Sequence, residues 1–221
     1  MGIDFNGKNI EAVVFDLDGT FYEIGSFTKF MFFLCNISNF SLFSAHRSSM
    51  SELRKEDFGS GEQYFDTLFD LISKKSGVEK NKVKKWYLND FRKDFIRTLR
   101  KFCRKNKALE KITEVLRSLN VRTAVLSDFG FIEERLDALH IDKELFDVLV
   151  SGEEEGALKP QTRPLKKISV FFSVDASNTA LIGDRTDTDK MVADRAGMMF
   201  IDVRNTGELE NILNNITGVS L

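Results

Sequence analysis

The chain has 221 residues, 42% of them hydrophobic and 30% charged, a globular composition that excludes wholesale disorder and allows one large domain or a core with an insertion. Lys+Arg total 32 against 34 Asp+Glu, a net charge of −2, so the basic excess of a dedicated nucleic-acid binder is missing and none is expected as a partner. Two cysteines, Cys35 and Cys103, and two histidines, His46 and His140, exclude a disulfide framework and a His-rich zinc site.

In chain order, the opening MGIDFNGKN has neither a basic stretch nor an apolar run, so no secretory leader is expected. Gly2 lacks the Ser or Thr at position 6 that myristoylation requires. The most apolar stretch, residues 27–43, is interrupted by Lys29, Asn36, Ser38 and Asn39 and falls short of a membrane span. A cytoplasmic location and no membrane partner are the expectations. Residues 11–15, EAVVF, read as a short buried strand leading into acids.

The following stretch differs in kind. Residues 23–105 hold 12 of the 21 phenylalanines and 17 Lys+Arg against 10 Asp+Glu, a net of +7, while the rest of the chain nets −9. Tyr64, Phe65, Leu68, Phe69 and Ile72 fall on one helical face, and Val83, Tyr87, Phe91, Phe95, Leu99 and Phe102 make a second stripe. The aromatic residues of 27–43 are expected in the core of this helical unit. Gly25, Gly59 and Gly61 are candidate flexible points. His46 and Arg47, in a polar stretch between helices, are candidates to line an entrance to a site.

From residue 108 the chain alternates. Helices are expected at 108–119, 132–139, 164–172 and 189–196, and strands at 121–126, 146–150, 179–182 and 198–203. Short apolar strands alternating with helices predict an α/β fold, an open parallel sheet covered on both faces. The organisation read from this pattern is a core of residues 1–22 and 107–221 with an all-helical insertion at 23–106.

Two clusters carry chemistry. AVVFDLDGT, residues 12–20, delivers Asp16 at a strand end with Asp18 two residues on, although the pattern alone also fits an acidic β-turn. LIGDRTDTD, residues 181–189, again ends an apolar strand in Asp184, Asp187 and Asp189, a pattern that a helix N-cap also satisfies. Open α/β sheets bind ligands at the carboxyl ends of their strands. Carboxylates gathered there repel unless a cation sits among them, and oxygen ligands without His or Cys suit Mg2+. Ser127 ends the strand VRTAVLS, where its hydroxyl is either an anion contact or a helix cap, and Lys159 lies in the loop GALKP, where a lysine is commonly just solvated.

Taken in order, FDLDGT, Ser127 in LSD, Lys159 in LKP and GDRTDTD running into KMVADRAGM resemble the four motifs of the haloacid dehalogenase-like superfamily, most of whose members are phosphatases. The resemblance covers the whole α/β part. It implies a three-layer Rossmann-like core with a helical cap inserted after the first motif; the 31 residues between Ser127 and Lys159 are too few for the larger cap found there in some relatives. It further implies that Asp16 is the nucleophile that forms an aspartyl-phosphate and Asp18 the general acid and base. Ser127 and Lys159 hold phosphoryl oxygens, with Gly19, Thr20 and Asp128 completing the phosphate pocket. Mg2+ is bound by Asp16, the backbone carbonyl of Asp18, Asp184 and Asp189, the last rather than Asp187 taking the family's second acid position.

Two departures stand out: Asp128 where many relatives have Asn, and Gln161-Thr162 where Asp-Pro often follows Lys-Pro. Dehalogenases of the family lack the second aspartate of the first motif, so Asp18 favours phosphoryl chemistry. The expectation is a Mg2+-dependent phosphatase of a small phosphorylated metabolite, with a sugar-phosphate phosphomutase or a non-catalytic interaction protein as alternatives.

Overall fold

The computed structural model describes residues 2–5 and 7–204, so the end of the expected core, 205–221, lies outside the described residues. Strands β1 (Ile3–Phe5) and β2 (Lys8–Ile10) pair antiparallel. The sequence reading has no counterpart for this hairpin, because three-residue strands are too short for alternation to be legible. Strand β3 (Ala12–Asp16) follows at once and is buried along its whole length.

Helices then run without a strand from α1 (Ser26–Cys35) through α2 (Phe40–Leu53), α3 (Gly61–Ser76) and α4 (Lys80–Lys85) to α5 (Arg92–Phe102). A π-helical turn, Trp86–Phe91, joins α4 to α5 in one rod. It explains the second aromatic stripe. Steps of four residues overshoot a full α-helical turn by about 40° each. The wider π turn takes back much of that drift, so Val83, Tyr87 and Phe91 stay buried together with Leu53, Tyr64, Leu68 and Ile72.

The core resumes with α6 (Lys107–Ser118), β4 (Arg122–Ser127), α7 (Ile132–Ala138), β5 (Val148–Ser151), α8 (Gly152–Glu155), α9 (Arg163–Phe172), β6 (Thr179–Gly183), α10 (Met191–Ala196) and β7 (Met199–Asp202). The five long-range strands form one parallel sheet in the order β5-β4-β3-β6-β7. Alternate residues of β3 point to opposite layers. Val13 and Phe15 pack with Ile112, Leu116 and Leu136, while Ala12 and Val14 pack with Leu165, Ile168 and Val192. The register sets Asp16 beside Leu126 and Phe15 beside Ile182, so Asp16, Ser127 and Asp184 all emerge at the same carboxyl edge.

Three expectations for the helical segment need correction. Phe32 and Phe43 do pack inward, their rings 5.4 Å apart, but Phe27, Phe30, Leu34, Ile37 and Phe40 are 38–63% exposed. Helix α1 is apolar on more faces than its neighbours can cover. His46 and Arg47 lie inside α2 rather than in a loop, and His46 is buried against Phe91 and Tyr87, not at an entrance. Gly61 is a point of close packing rather than a hinge, since a Cβ there would stand 2.5 Å from the Glu154 carbonyl.

Candidate active site

The edge of the sheet divides the functional side chains into two groups. In the first, Asp16 is 3% exposed; its Oδ1 accepts a hydrogen bond from Lys159 Nζ and its Oδ2 accepts one from Thr20 Oγ1 at 2.9 Å. Lys159 Nζ also donates to Asp189 Oδ1 at 2.6 Å, and Asp189 Oδ2 accepts from the Arg185 amide at 3.1 Å. One oxygen from each of Asp16, Asp184 and Asp189 lies within 4.8 Å of the others. Asp187 stays outside, exposed and paired with Arg185 at 2.6 Å.

Two glycines permit this crowding. Gly19 has φ +94°, and a Cβ on it would stand 2.5 Å from Asp184 Oδ2. A Cβ on Gly183 would stand 2.6 Å from Asp189 Oδ2.

Lys159 hydrogen-bonds to two of the three carboxylates, Asp16 and Asp189, which leaves the cluster short of positive charge. Burial pushes the Asp16 carboxyl up to about 8, with the charges of Asp189 and Asp18 adding to the rise and Lys159 opposing it. Burial and then Asp189 also raise Asp184. Burial disfavours the Lys159 ammonium, but the charges of Asp16 and Asp189 prevail and hold its pKa well above the usual lysine value. Asp184 Oδ1 is buried with no hydrogen-bond partner among the described residues. An orphaned carboxylate oxygen within a set of oxygen donors short of positive charge fits a hard divalent cation.

The second group surrounds Asp18. Its Oδ1 accepts from Tyr22 Oη and Arg135 Nη2, and its Oδ2 accepts from Ser127 Oγ at 2.9 Å. Ser127 Oγ in turn accepts from Arg135 Nη1 at 2.8 Å and from the Phe129 amide at 3.2 Å. Arg135 is fully buried, with its guanidinium 5.3 Å from the ring centre of Phe95 and 5.9 Å from that of Phe131. Burial works to raise the Asp18 carboxyl, but the Arg135 charge and the bonds from Tyr22, Arg135 and Ser127 together hold it below the usual range.

Between the two groups, Asp128 Oδ1 accepts from the Lys159 amide at 2.8 Å while its Oδ2 pairs with Arg54 at 3.0 Å. Its carboxylate is therefore engaged on one oxygen by the helical segment and on the other by the loop that carries Lys159. The loop after α2 adds a 2.8 Å bond from the Phe58 amide to the Gly156 carbonyl.

The sequence reading missed Arg135 and Tyr22. In IEERLDAL, Arg135 lies three residues after Ile132 and four before Leu139, on the apolar face of the helix. An arginine in that position is the signal that was available.

Comparisons with known proteins identify the family to which this fold belongs. The model of the haloacid dehalogenase-like hydrolases matches residues 13–203. A curated relative, glyceraldehyde 3-phosphate phosphatase of Pyrococcus abyssi, is 30% identical over 93 residues, which is 41% of this chain and 39% of that protein. The chain thus spans well under half the length of this relative. Among solved structures, the 2-haloacid dehalogenase of Pseudomonas syringae pv. tomato has a TM-score of 0.60 at 20% identity, covering 87% of this chain and 86% of that one. CbbY of Rhodobacter sphaeroides, in complex with phosphate, has a TM-score of 0.61 at 17% identity, covering 87% and 85%. Identity this low establishes a shared fold, and the family match over most of the chain establishes the lineage: the protein belongs to the haloacid dehalogenase-like hydrolases.

Proposed function

We propose that this protein is a Mg2+-dependent phosphatase that hydrolyses a small phosphomonoester through an aspartyl-phosphate on Asp16. The observation that carries the reading is the pair of aspartates after β3, Asp16 against Lys159 and Asp18 against Ser127. A dehalogenase, which attacks carbon, has no use for the second acid. The Pyrococcus abyssi relative, a phosphatase of glyceraldehyde 3-phosphate, supports a small phosphorylated metabolite as the substrate class.

The reaction divides between the two groups. An Asp16 oxygen attacks phosphorus, the bond from phosphorus to the ester oxygen breaks, and Asp18, ionised in the resting site, relays a proton from the phosphomonoester monoanion to the departing alcohol. Water then attacks the phosphorus of the aspartyl-phosphate and passes one proton through Asp18 to the departing phosphate, which restores both carboxylates. Lys159 and Ser127 hold the phosphoryl oxygens, Gly19, Thr20 and the amide of Asp128 border them, and Lys159 offsets the charge on Asp16. Asp16, Asp184 and Asp189, with the backbone carbonyl of Asp18, would hold Mg2+, whose contribution when bound is neutralisation of the phosphoryl and carboxylate charge.

The helical segment, residues 23–106, acts in this reading as a cap that excludes water. Its contact from Arg54 to Asp128 supports that role.

The test is phosphate release across a panel of phosphorylated metabolites, with Mg2+ and with a chelator. Release that needs Mg2+ and disappears in Asp16→Asn is the expected result. Inertness of the wild type across the panel, or turnover by Asp16→Asn at the wild-type rate, overturns the reading.

A further inference from the structure

Arg135 is a cation that the mechanism above does not use, although it is among the largest side chains fully closed off from solvent. Removing a guanidinium from water is costly, so its position needs a partner that repays that cost. The partners are specific. Nη2 donates to Asp18 Oδ1 and stands 3.4 Å from Tyr22 Oη, while Nη1 donates to Ser127 Oγ and to the Phe129 carbonyl at 3.2 Å.

One planar fork therefore spans the acid of the first motif and the serine of the second, residues 109 positions apart in sequence. The aromatic faces of Phe95 and Phe131 fix the plane of that fork. Tyr22, fully buried, adds a hydroxyl to the same Asp18 oxygen. With both Asp18 oxygens engaged, the carboxylate has one orientation relative to Asp16. A lysine in place of Arg135 offers one donor centre, and cannot hold Asp18 and Ser127 in a common plane.

We infer that Arg135 is a positioning residue for the acid–base step: together with Tyr22, and with Ser127 as a link to the second oxygen, it fixes the Asp18 carboxylate in the orientation that proton transfer requires. The inference rests on the phosphatase reading, and the experiment separates the two.

p-Nitrophenyl phosphate has a leaving group that departs without protonation, so transfer to Asp16 proceeds without Asp18 whereas hydrolysis of the aspartyl-phosphate needs it. In rapid mixing with Mg2+, R135K is expected to release a burst of nitrophenolate close to one equivalent of enzyme, followed by a steady rate about tenfold to a hundredfold below wild type. A structural defect that lowers the amount of folded enzyme shrinks burst and steady rate together and cannot produce this pattern. In the D18N background, R135K should slow the residual rate by less than twofold, because its effect passes through Asp18.

Y22F keeps the ring and removes one donor, so it should show the same burst with a smaller loss. It also carries the test if R135K fails to fold. Wild-type-like kinetics in either folded variant, a rise in KM with kcat unchanged, or an equal loss in the wild-type and D18N backgrounds overturns the positioning role and leaves the phosphatase reading standing. No nitrophenolate release by wild type, combined with inertness across the metabolite panel, overturns both.

Discussion

Asp16 and Asp18 leave the same strand end two residues apart, yet their surroundings oppose one another. Asp16 shares the Lys159 ammonium with Asp189, and Asp184 stands beside them with an unsatisfied oxygen. Asp18 has the Arg135 guanidinium, the Tyr22 hydroxyl and the Ser127 hydroxyl on its own two oxygens. Burial accordingly raises the first carboxyl to about 8, while the donors around the second hold it low despite desolvation. Both lie at one sheet edge, so the difference is one of charge count. One group is short of positive charge and built to receive more; the other is balanced and built to stay where it is.

Asp16→Asn probes that contrast most severely. Phosphate release should fall by about four orders of magnitude or more, because no neighbouring oxygen replaces the nucleophile. The variant should unfold at or above the wild-type temperature in chelator, since it relieves repulsion within an acid cluster. A large loss of stability would mean that the cluster is not short of positive charge. Asp18→Asn comes next. Turnover should drop by about 10²–10⁴-fold, while Mg2+ binding by titration calorimetry stays within about twofold of wild type. Loss of Mg2+ binding in D18N would merge the two groups into one.

A milder probe leaves chemistry aside. Mg2+ at about 100 times its dissociation constant should stabilise the wild type by about 2.7 kcal/mol, read as a rise in Tm. Asp184→Asn should lose most of that rise, while Tyr22→Phe should keep it. An equal rise in wild type and D184N would place the cation elsewhere.

The sequence made the first group more legible than the second for a physical reason. Clustered carboxylates after apolar strands are conspicuous because they are costly, and the glycines at 19 and 183 that let them approach lie inside the same motifs. The alternating strands and helices from residue 108 onward were equally readable, with boundaries off by one or two residues, because a parallel sheet demands continuous apolar runs. Arg135 was not readable in the same way. Its partners are brought to it by tertiary packing, and a single charge on a helix resembles a solvated one. The exposed side of α1 escaped for the opposite reason: apolar composition shows that residues favour burial, while neighbouring elements decide which of them achieve it.

Glu153, a buried carboxylate outside both groups, extends the comparison at the smallest scale. Glu153, 1% exposed, accepts from the Tyr87 hydroxyl and from the Gly130 amide at 2.9 Å, with Tyr64 at 3.4 Å. Burial raises it to about 7; the Tyr87 and Gly130 bonds oppose the rise and the charge of Asp128 adds to it. In the folded protein Glu153 thus keeps its proton above the ordinary glutamate pKa of 4.5, whereas the unfolded chain gives it up there. Its contribution to stability is present below that value, falls as pH rises towards 7, and stays at its lower level beyond. Glu153→Gln removes this dependence. Comparing unfolding free energies at pH 5 and pH 8 in chelator, wild type should lose more stability than E153Q, by on the order of 2 kcal/mol. Asp16 titrates over an overlapping range in both proteins, so its share cancels in the difference. Equal losses would mean that the tyrosine hydroxyls and the Gly130 amide satisfy the ionised carboxylate in full, and that Glu153 resembles Asp18 rather than Asp16.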